Sequence, residues 1–247
     1  MKQLLPRILI VGVAALLIVV TGMQPLSARS DPAKVFTDAR IVELARAIED
    51  GSTTKVRRLV QEGANLGSQG QQGVTLLQWA MLRDQPRMLE LLLELGANPS
   101  QRGFGGQTAL HMAAGAKRKP YLNILLDHGA DPNVRDGRTE APVLSEAIMN
   151  GNHDAVSLLL KYRADPNAVN RQNETPLHVA AQINDYGSML ALLEAGADPA
   201  IRDRGGHTFA AYFVIKPKES MMSWEAKRGR KAVQDWLASH GHGSAEQ

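Results

Sequence analysis

A few arrangements in this chain have residue types and spacings that chemistry uses. Ser52-Thr53-Thr54-Lys55 matches the Ser-x-x-Lys pattern in which a lysine activates a serine nucleophile for acyl transfer. Arg102-Gly103-Phe104-Gly105-Gly106 is glycine-rich, as phosphate-cradling loops are. However, it lacks a following Lys-Ser/Thr and a strand-to-helix setting. The chain has 7 His. His128, His153 and His207 fall near loops, one per segment, without metal-ligand spacing, while His240-Gly241-His242 near the end could touch a metal. Asn173-Glu174-Thr175 is formally a glycosylation sequon. No paired carboxylates and no Ser/His/Asp set stand out along the chain, although such groups can assemble from distant positions. Ser52 reads more simply as a helix N-cap and the Gly-rich stretch as a hairpin tip. The expectation is a protein without catalytic residues, metal or cofactor.

The elements that must position these residues recur. Gly63-Ala64-Asn65, Gly96-Ala97-Asn98-Pro99, Gly129-Ala130-Asp131-Pro132-Asn133, Arg163-Ala164-Asp165-Pro166-Asn167 and Gly196-Ala197-Asp198-Pro199 follow each other at steps of 33, 33, 34 and 33 residues. A fixed period of this size means stacked supersecondary units, each too small to bury its apolar face alone. Each unit carries two apolar stripes at helical spacing, such as Leu77, Ala80 and Met81, then Met88, Leu89, Leu91, Leu92 and Leu93. Gly51 and Gly151 lie between paired helices, where a left-handed turn residue is needed. After the second helices, Gly ends the helix at four of the five phrases, with Arg163 in its place at the other, and Pro forbids continuation at four, the first having Leu66 instead. The Thr of Thr175-Pro176-Leu177-His178 suits an N-cap, with Pro at the first helical position.

Residues 1–28 read as an export signal. Lys2 and Arg7 precede an apolar run from Ile8 to Val20; Gly22 and Pro25 break it, and Leu26-Ser27-Ala28 offers a cleavage site. The run is short for a span, which needs about 20 residues, yet an uncleaved N-terminal anchor stays open. The absence of Cys excludes a lipoprotein anchor and any disulfide. The formal net charge is +3 and falls to +1 without Lys2 and Arg7, so no focused basic face for nucleic acid is supplied. Residues 29–38 read as a polar linker, 39–241 as the repeat domain and 242–247 as a tail. Near the end, Val214 to Lys231 reads as a basic insertion and Ala232 to Leu237 as a closing helix. The basic loop 216–231, with Met221, Met222 and Trp224, is the one place besides the N-terminus where membrane contact would occur.

Thr175-Pro176-Leu177-His178-Val179-Ala180-Ala181 and Thr108-Ala109-Leu110-His111-Met112-Ala113-Ala114 resemble the ankyrin signature, as does the repeated Gly-Ala-Asp/Asn-Pro phrase. The resemblance spans about residues 39–241 and implies an all-α solenoid of five repeats plus an atypical C-terminal capping unit. Departures occur at Leu44-Ala45-Arg46-Ala47, Thr75-Leu76-Leu77-Gln78 and Pro142-Val143-Leu144-Ser145, and they leave the hairpin shapes open. It also implies that His111 and His178 tie neighbouring units together.

In this family, partners meet the face formed by the first helices and the hairpin tips. Carried onto this chain, the partner-binding tip positions are Gln71, Gln72, Val74, Phe104, Gln107, Arg138, Thr139, Arg171, Gln172, Glu174 and Arg204. The helix positions are Trp79, Leu82, Arg83, Met112, Glu146, Met149, Asn150, Gln182 and Ile183. Trp79 and Phe104 stand out as aromatic anchors, and Arg102, Arg135, Arg138, Arg171, Arg202 and Arg204 as a row favouring an acidic protein surface.

The expected protein is therefore a periplasmic, non-catalytic, protein-binding module, monomeric when free. Exported bacterial proteins it resembles include immunity proteins that neutralise an envelope-acting toxin, such as a secreted phospholipase. Others are accessory proteins that support an envelope stress enzyme. The residues do not separate these. The inhibitory role is favoured because it needs only tight burial of a surface. A membrane-attached scaffold or a secreted effector is the alternative.

Overall fold

The computed structural model describes residues 30–117, 120–213 and 222–242. The export signal (1–28), the first part of the basic insertion (214–221) and residues 243–247 of the tail lie outside the described residues. A short helix, α1 (Pro32–Val35), precedes six helix pairs. These are α2 (Ala39–Glu49) with α3 (Thr53–Gln61), α4 (Leu76–Leu82) with α5 (Pro86–Glu94), and α6 (Ala109–Gly115) with α7 (Tyr121–Asp127). Then follow α8 (Val143–Met149) with α9 (His153–Lys161), α10 (Pro176–Gln182) with α11 (Tyr186–Glu194), and α12 (Phe209–Phe213) with α13 (Trp224–Ser239). Among the described residues there is no strand. The loops between pairs carry only isolated bridges, Gln69 with Thr75 and Arg135 with Pro142. The fold is an all-α solenoid of five repeats closed by an atypical sixth unit.

The repeated phrase has a backbone reason at each step. After each second helix the Gly or Arg N–H returns to the carbonyl three residues back, and the Ala N–H to the one five back. In the first unit these are Gly63 to Val60 and Ala64 to Leu59, each at 2.9 Å. The same pair of bonds recurs at Gly96, Gly129, Arg163 and Gly196, all with positive φ. This is the Schellman closure, which wants a residue without Cβ strain at the turn. The Ala that follows is buried every time. The next residue accepts an N–H from two residues on, as in Asn65 from Gly67 at 2.9 Å and Asp198 from Ala200 at 2.8 Å. Asn or Asp is therefore required there, because its side chain caps its own turn.

The units are tied through one inner-helix position. His178 donates from Nε2 to the His207 carbonyl of the following unit at 3.1 Å, while Nδ1 meets Thr175 Oγ1 at 2.8 Å. His111 repeats this with Ala141 O at 3.4 Å and Thr108 Oγ1 at 3.0 Å. In the second unit Gln78 does the same work: Nε2 donates to Gln107 O at 3.0 Å and Oε1 accepts from Thr75 N at 3.2 Å. In the fourth unit Ser145 is too short. Its Oγ is buried without a hydrogen-bond partner, and Pro142 supplies no side-chain cap.

The ends depart from the sequence reading. Within the stretch read as a polar linker, residues 30–38 pack against the repeats. Asp31 caps α1, and Val35 and Phe36 enter the core. At the other end the final helix starts at Trp224, not at Ala232. Arg230 occupies a core-facing position on it. There it lies 4.5 Å over the Phe213 ring and donates to Phe213 O at 3.1 Å, with Val233 and Leu237 buried beyond it. The charge on Arg230 hid the apolar stripe that it completes.

Burial holds the His111 imidazole below its ordinary 6.5, with the bond to Ala141 opposing. As pH falls below 6.5 the unfolded chain takes up a proton that the folded chain refuses, so stability present above that value is lost below it. His111→Gln, copying Gln78, should remove part of the drop in urea midpoint between neutral and mildly acidic pH. An equal drop in the variant would show that His111 is not the titrating group. Ser145→Ala removes a buried hydroxyl without a partner, and should raise stability by up to about 1 kcal/mol. A lower unfolding temperature would show that Ser145 Oγ is bonded in solution.

Candidate functional site

The first helices of successive units present one register of side chains: Arg46, Trp79, Met112, Glu146, Val179 and Tyr212. In the first two units this face is not open. The segment from Ser30 to Phe36 lies on it as a strap. The Phe36 ring meets Trp79 edge-on at 5.4 Å, and Val35 and Phe36 close against Gly70, where any Cβ would fall 2.7 Å from Val35 Cγ1. Trp79 is fully buried and donates from Nε1 to Ala45 O at 3.3 Å. The Arg83 guanidinium sits 4.0 Å above the Trp79 ring, pairs with Glu49 at 2.6 Å and donates to Ser30 O. Trp79 and Arg83 are therefore core residues rather than partner anchors. The reason is an occupant supplied by the chain itself. Val74, expected at a tip, is also fully buried.

The tips behave differently from the expected arginine row. Arg135 donates to Val169 O at 2.8 Å, Arg102 to Arg135 O at 3.5 Å, and Arg202 to Gly206 O at 2.7 Å. Arg171 pairs with Glu140 at 3.3 Å. Arg102, Arg135 and Arg171 lace one hairpin to the next, while Arg202 closes its own hairpin. Arg138 lies across the neighbouring tip, with Nη2 3.2 Å from where a Cβ on Gly105 would stand. Arg138 and Arg204 are exposed and form no ion pair or side-chain hydrogen bond among the described residues. Gln71 and Gln172 are also exposed, and Gln72 is half-buried in a short 3-10 turn with positive φ.

The open part of the face lies over the third to fifth units. Phe104 is 42 % exposed at its tip, Met149 52 % and Ile183 48 %, in a chain whose other large apolar side chains are mostly covered. Between them is Glu146, half-buried. Its Oε1 accepts from Asn150 Nδ2 at 2.9 Å and its Oε2 from Gln107 Nε2 at 3.3 Å. Burial raises its carboxyl above the ordinary carboxylate range, against the two amide bonds. Met112 is half-buried beside the core, and Gln182 reaches Glu174 Oε1 at 2.8 Å. Gln107, Met112, Glu146, Met149 and Gln182 are thus brought to one side, while Trp79 and Arg83 are taken away from it. The strap was missed. Its only signal was the apolar pair Val35-Phe36 in a polar stretch.

The chemistry-bearing patterns are used structurally. Lys55 of the Ser-x-x-Lys pattern pairs with Glu43 at 3.1 Å, and Ser52 sits at the N-cap position of α3 without a side-chain cap bond. A His153–Asp185–Ser188 group does assemble, with His153 Nε2 3.0 Å from Asp185 Oδ1. Ser188 Oγ, however, donates to Asp185 Oδ2 at 2.6 Å. A nucleophilic serine must instead bond to the imidazole, so this is a helix cap. Among the described residues no group of three or more His, Asp or Glu could hold a metal. His240 stacks on Trp236 with ring centroids 3.9 Å apart. In the basic segment, Trp224 is 67 % exposed but opens a helix rather than a loop.

Trp79→Ala should destabilise the protein by about 3–5 kcal/mol, the cost of emptying a large aromatic site. Phe36→Ala should give a comparable loss that is not additive with it, since each ring is the other's packing partner. Urea unfolding of the singles and the double checks this. Full additivity would mean the strap does not rest on Trp79.

Two family models match the chain: one described as ankyrin repeats (3 copies) over residues 44–136, and one described as ankyrin repeats (many copies) over residues 144–194. A search of curated proteins found no match. With the paired helices, the repeated turn closure and the His and Gln ties already described, these matches establish that the chain belongs to the ankyrin-repeat family.

Proposed function

We propose that this protein is a non-catalytic binding module that docks a protein partner on the inner-helix face of its third to fifth units. The supporting observation is the contrast along one face. Over the first two units the chain covers its own apolar anchor, Trp79, with Phe36. Over the third to fifth, Phe104, Met149 and Ile183 remain exposed. Exposed apolar groups gathered on one face and rimmed by polar residues mark interaction sites. Extended repeat surfaces suit protein partners.

The finer reading is an exported protein acting in the periplasm, for which residues 1–28 supply the signal pattern. Among its roles we favour immunity, the neutralising of an envelope-acting toxin, because a rigid face that only buries a surface suffices for inhibition. Support of an envelope stress enzyme is the alternative, and the gene's neighbours distinguish the two.

Tagged full-length protein recovered from the native envelope fraction should bring down a stoichiometric protein partner, identified by mass spectrometry. A bait beginning near Arg29 fits export with cleavage, and a bait retaining Met1 fits an anchor. Met149→Asp with Ile183→Asp should abolish recovery of the partner, since truncating or charging a hot spot costs about 2–4 kcal/mol. Glu90→Lys, on the exposed side of α5, should leave it intact. A partner kept by the double variant and lost by the control would move the site to the second-helix side.

A further inference from the structure

The open face has acid at its centre and arginine at its rim. Glu146 has no cationic partner among the described residues, and Lys117, on the turn after α6, lies instead against Gly151. A carboxylate offers about four acceptor positions, and the protein fills only two, through Asn150 and Gln107. One side of it is kept clear by the absence of a side chain: a Cβ on Gly115 would stand 3.5 Å from Glu146 Oε1 and 3.2 Å from Asn150 Nδ2. Met149, one turn along the same helix, and Ile183, on the next unit, supply exposed apolar surface on this face. Arg138 and Arg204 at the tips disfavour a long basic stretch.

Resting on the binding face proposed above, we infer that it recognises a protein segment carrying a single lysine or arginine between apolar residues. The cation seats on Glu146 and its neighbours cover Met149 and Ile183. A half-buried carboxylate held by two amides is already partly desolvated, so a cation meeting it gains more than at an open surface. The raised carboxyl of Glu146 agrees with this, since burial is its main cause. Burying Met149 and Ile183 against apolar neighbours then supplies the non-directional part of the affinity. The same carboxylate opposes nucleic acid and anionic lipid at this spot.

The test is selection from a displayed library of random peptides on immobilised full-length protein. Wild type should enrich peptides with one central Lys or Arg flanked by apolar residues, and these should not bind Met149→Asp/Ile183→Asp. Replacing that cation by Gln in an enriched peptide should weaken binding about tenfold or more on wild type, and far less on Glu146→Gln, as a double-mutant cycle reads it. Glu146→Gln keeps one acceptor oxygen, for Asn150 Nδ2. Its new NH2 replaces the oxygen that accepts from Gln107 Nε2, so that contact is kept by the Gln107 amide turning its own oxygen toward it. The variant should melt no lower than wild type at neutral pH: the folded carboxyl binds its proton more tightly than the unfolded one, so ionising it on the way to neutral pH costs stability. Peptides that need Met149 and Ile183 but lack a cation, or bind Glu146→Gln equally, would overturn the inference and leave the binding face standing. No peptide dependent on Met149 and Ile183 would overturn both.

Discussion

No pair of helices in this chain can hide its apolar side alone, so each must lean on the next, and the contacts that make it do so are polar. A buried side chain at one position of the first helix, Gln78, His111 or His178, satisfies its own helix start and donates to a backbone carbonyl one unit on. In a buried setting such a bond contributes modestly when made and costs more when left unmade. The result is a fixed spacing: a unit that slid or tilted would strand a buried donor. Around this tie the loops add their own. Asn133 and Asn167 each exchange bonds with the next repeated phrase, from Nδ2 to Arg163 O and Gly196 O, and at Oδ1 from Asp165 N and Asp198 N at 2.7 Å.

The same dependence makes the ends a problem, and each end solves it differently. The first unit has no predecessor, and the chain folds its own segment back over the face of the first two units instead of extending the stack. Phe36 on Trp79 and Ser30 on Arg83 are the outcome. The last unit has a short first helix, Phe209–Phe213, and a long second one, Trp224–Ser239. Arg230 lets a basic helix close an apolar end, because its guanidinium finds both a ring and a carbonyl there. Capping thus decides which parts of the first-helix face survive as surface.

Much of the fold was legible because its turns are chemically demanding. Left-handed closure wants Gly, and the following turn wants Asn or Asp, so both leave marks at a fixed period. Arg163 breaks the first rule and still holds positive φ, since the bonds on either side are intact. The final helix was only half legible, for Arg230 reads as solvent-facing. The strap was not legible, since nothing about Val35 or Phe36 says which distant ring they will meet. The site suffered accordingly. Trp79 has the type of an anchor and the register of an anchor, and only the three-dimensional path of residues 30–36 shows that the anchor is already taken. Part of the arginine row is likewise taken up, since Arg102, Arg135 and Arg202 find hairpin carbonyls and Arg171 finds Glu140.

What remains exposed follows from where self-contact stops. The strap ends its reach at the second unit, and beyond it the first-helix register changes from Trp79 to Met112 and then Glu146. A carboxylate in that position reaches only backward, accepting from Gln107 of the third unit at 3.3 Å. It makes no tie to the following unit, and its burial works against its charge. Ser145 beside it gives up the inter-unit bond that Gln78, His111 and His178 all make. The fourth unit thus lacks the first-helix tie to the following unit that its neighbours make. A position that gives up a tie its neighbours make is where local rules yield to function or strain. Under the function proposed above, the open face around Glu146 is that position.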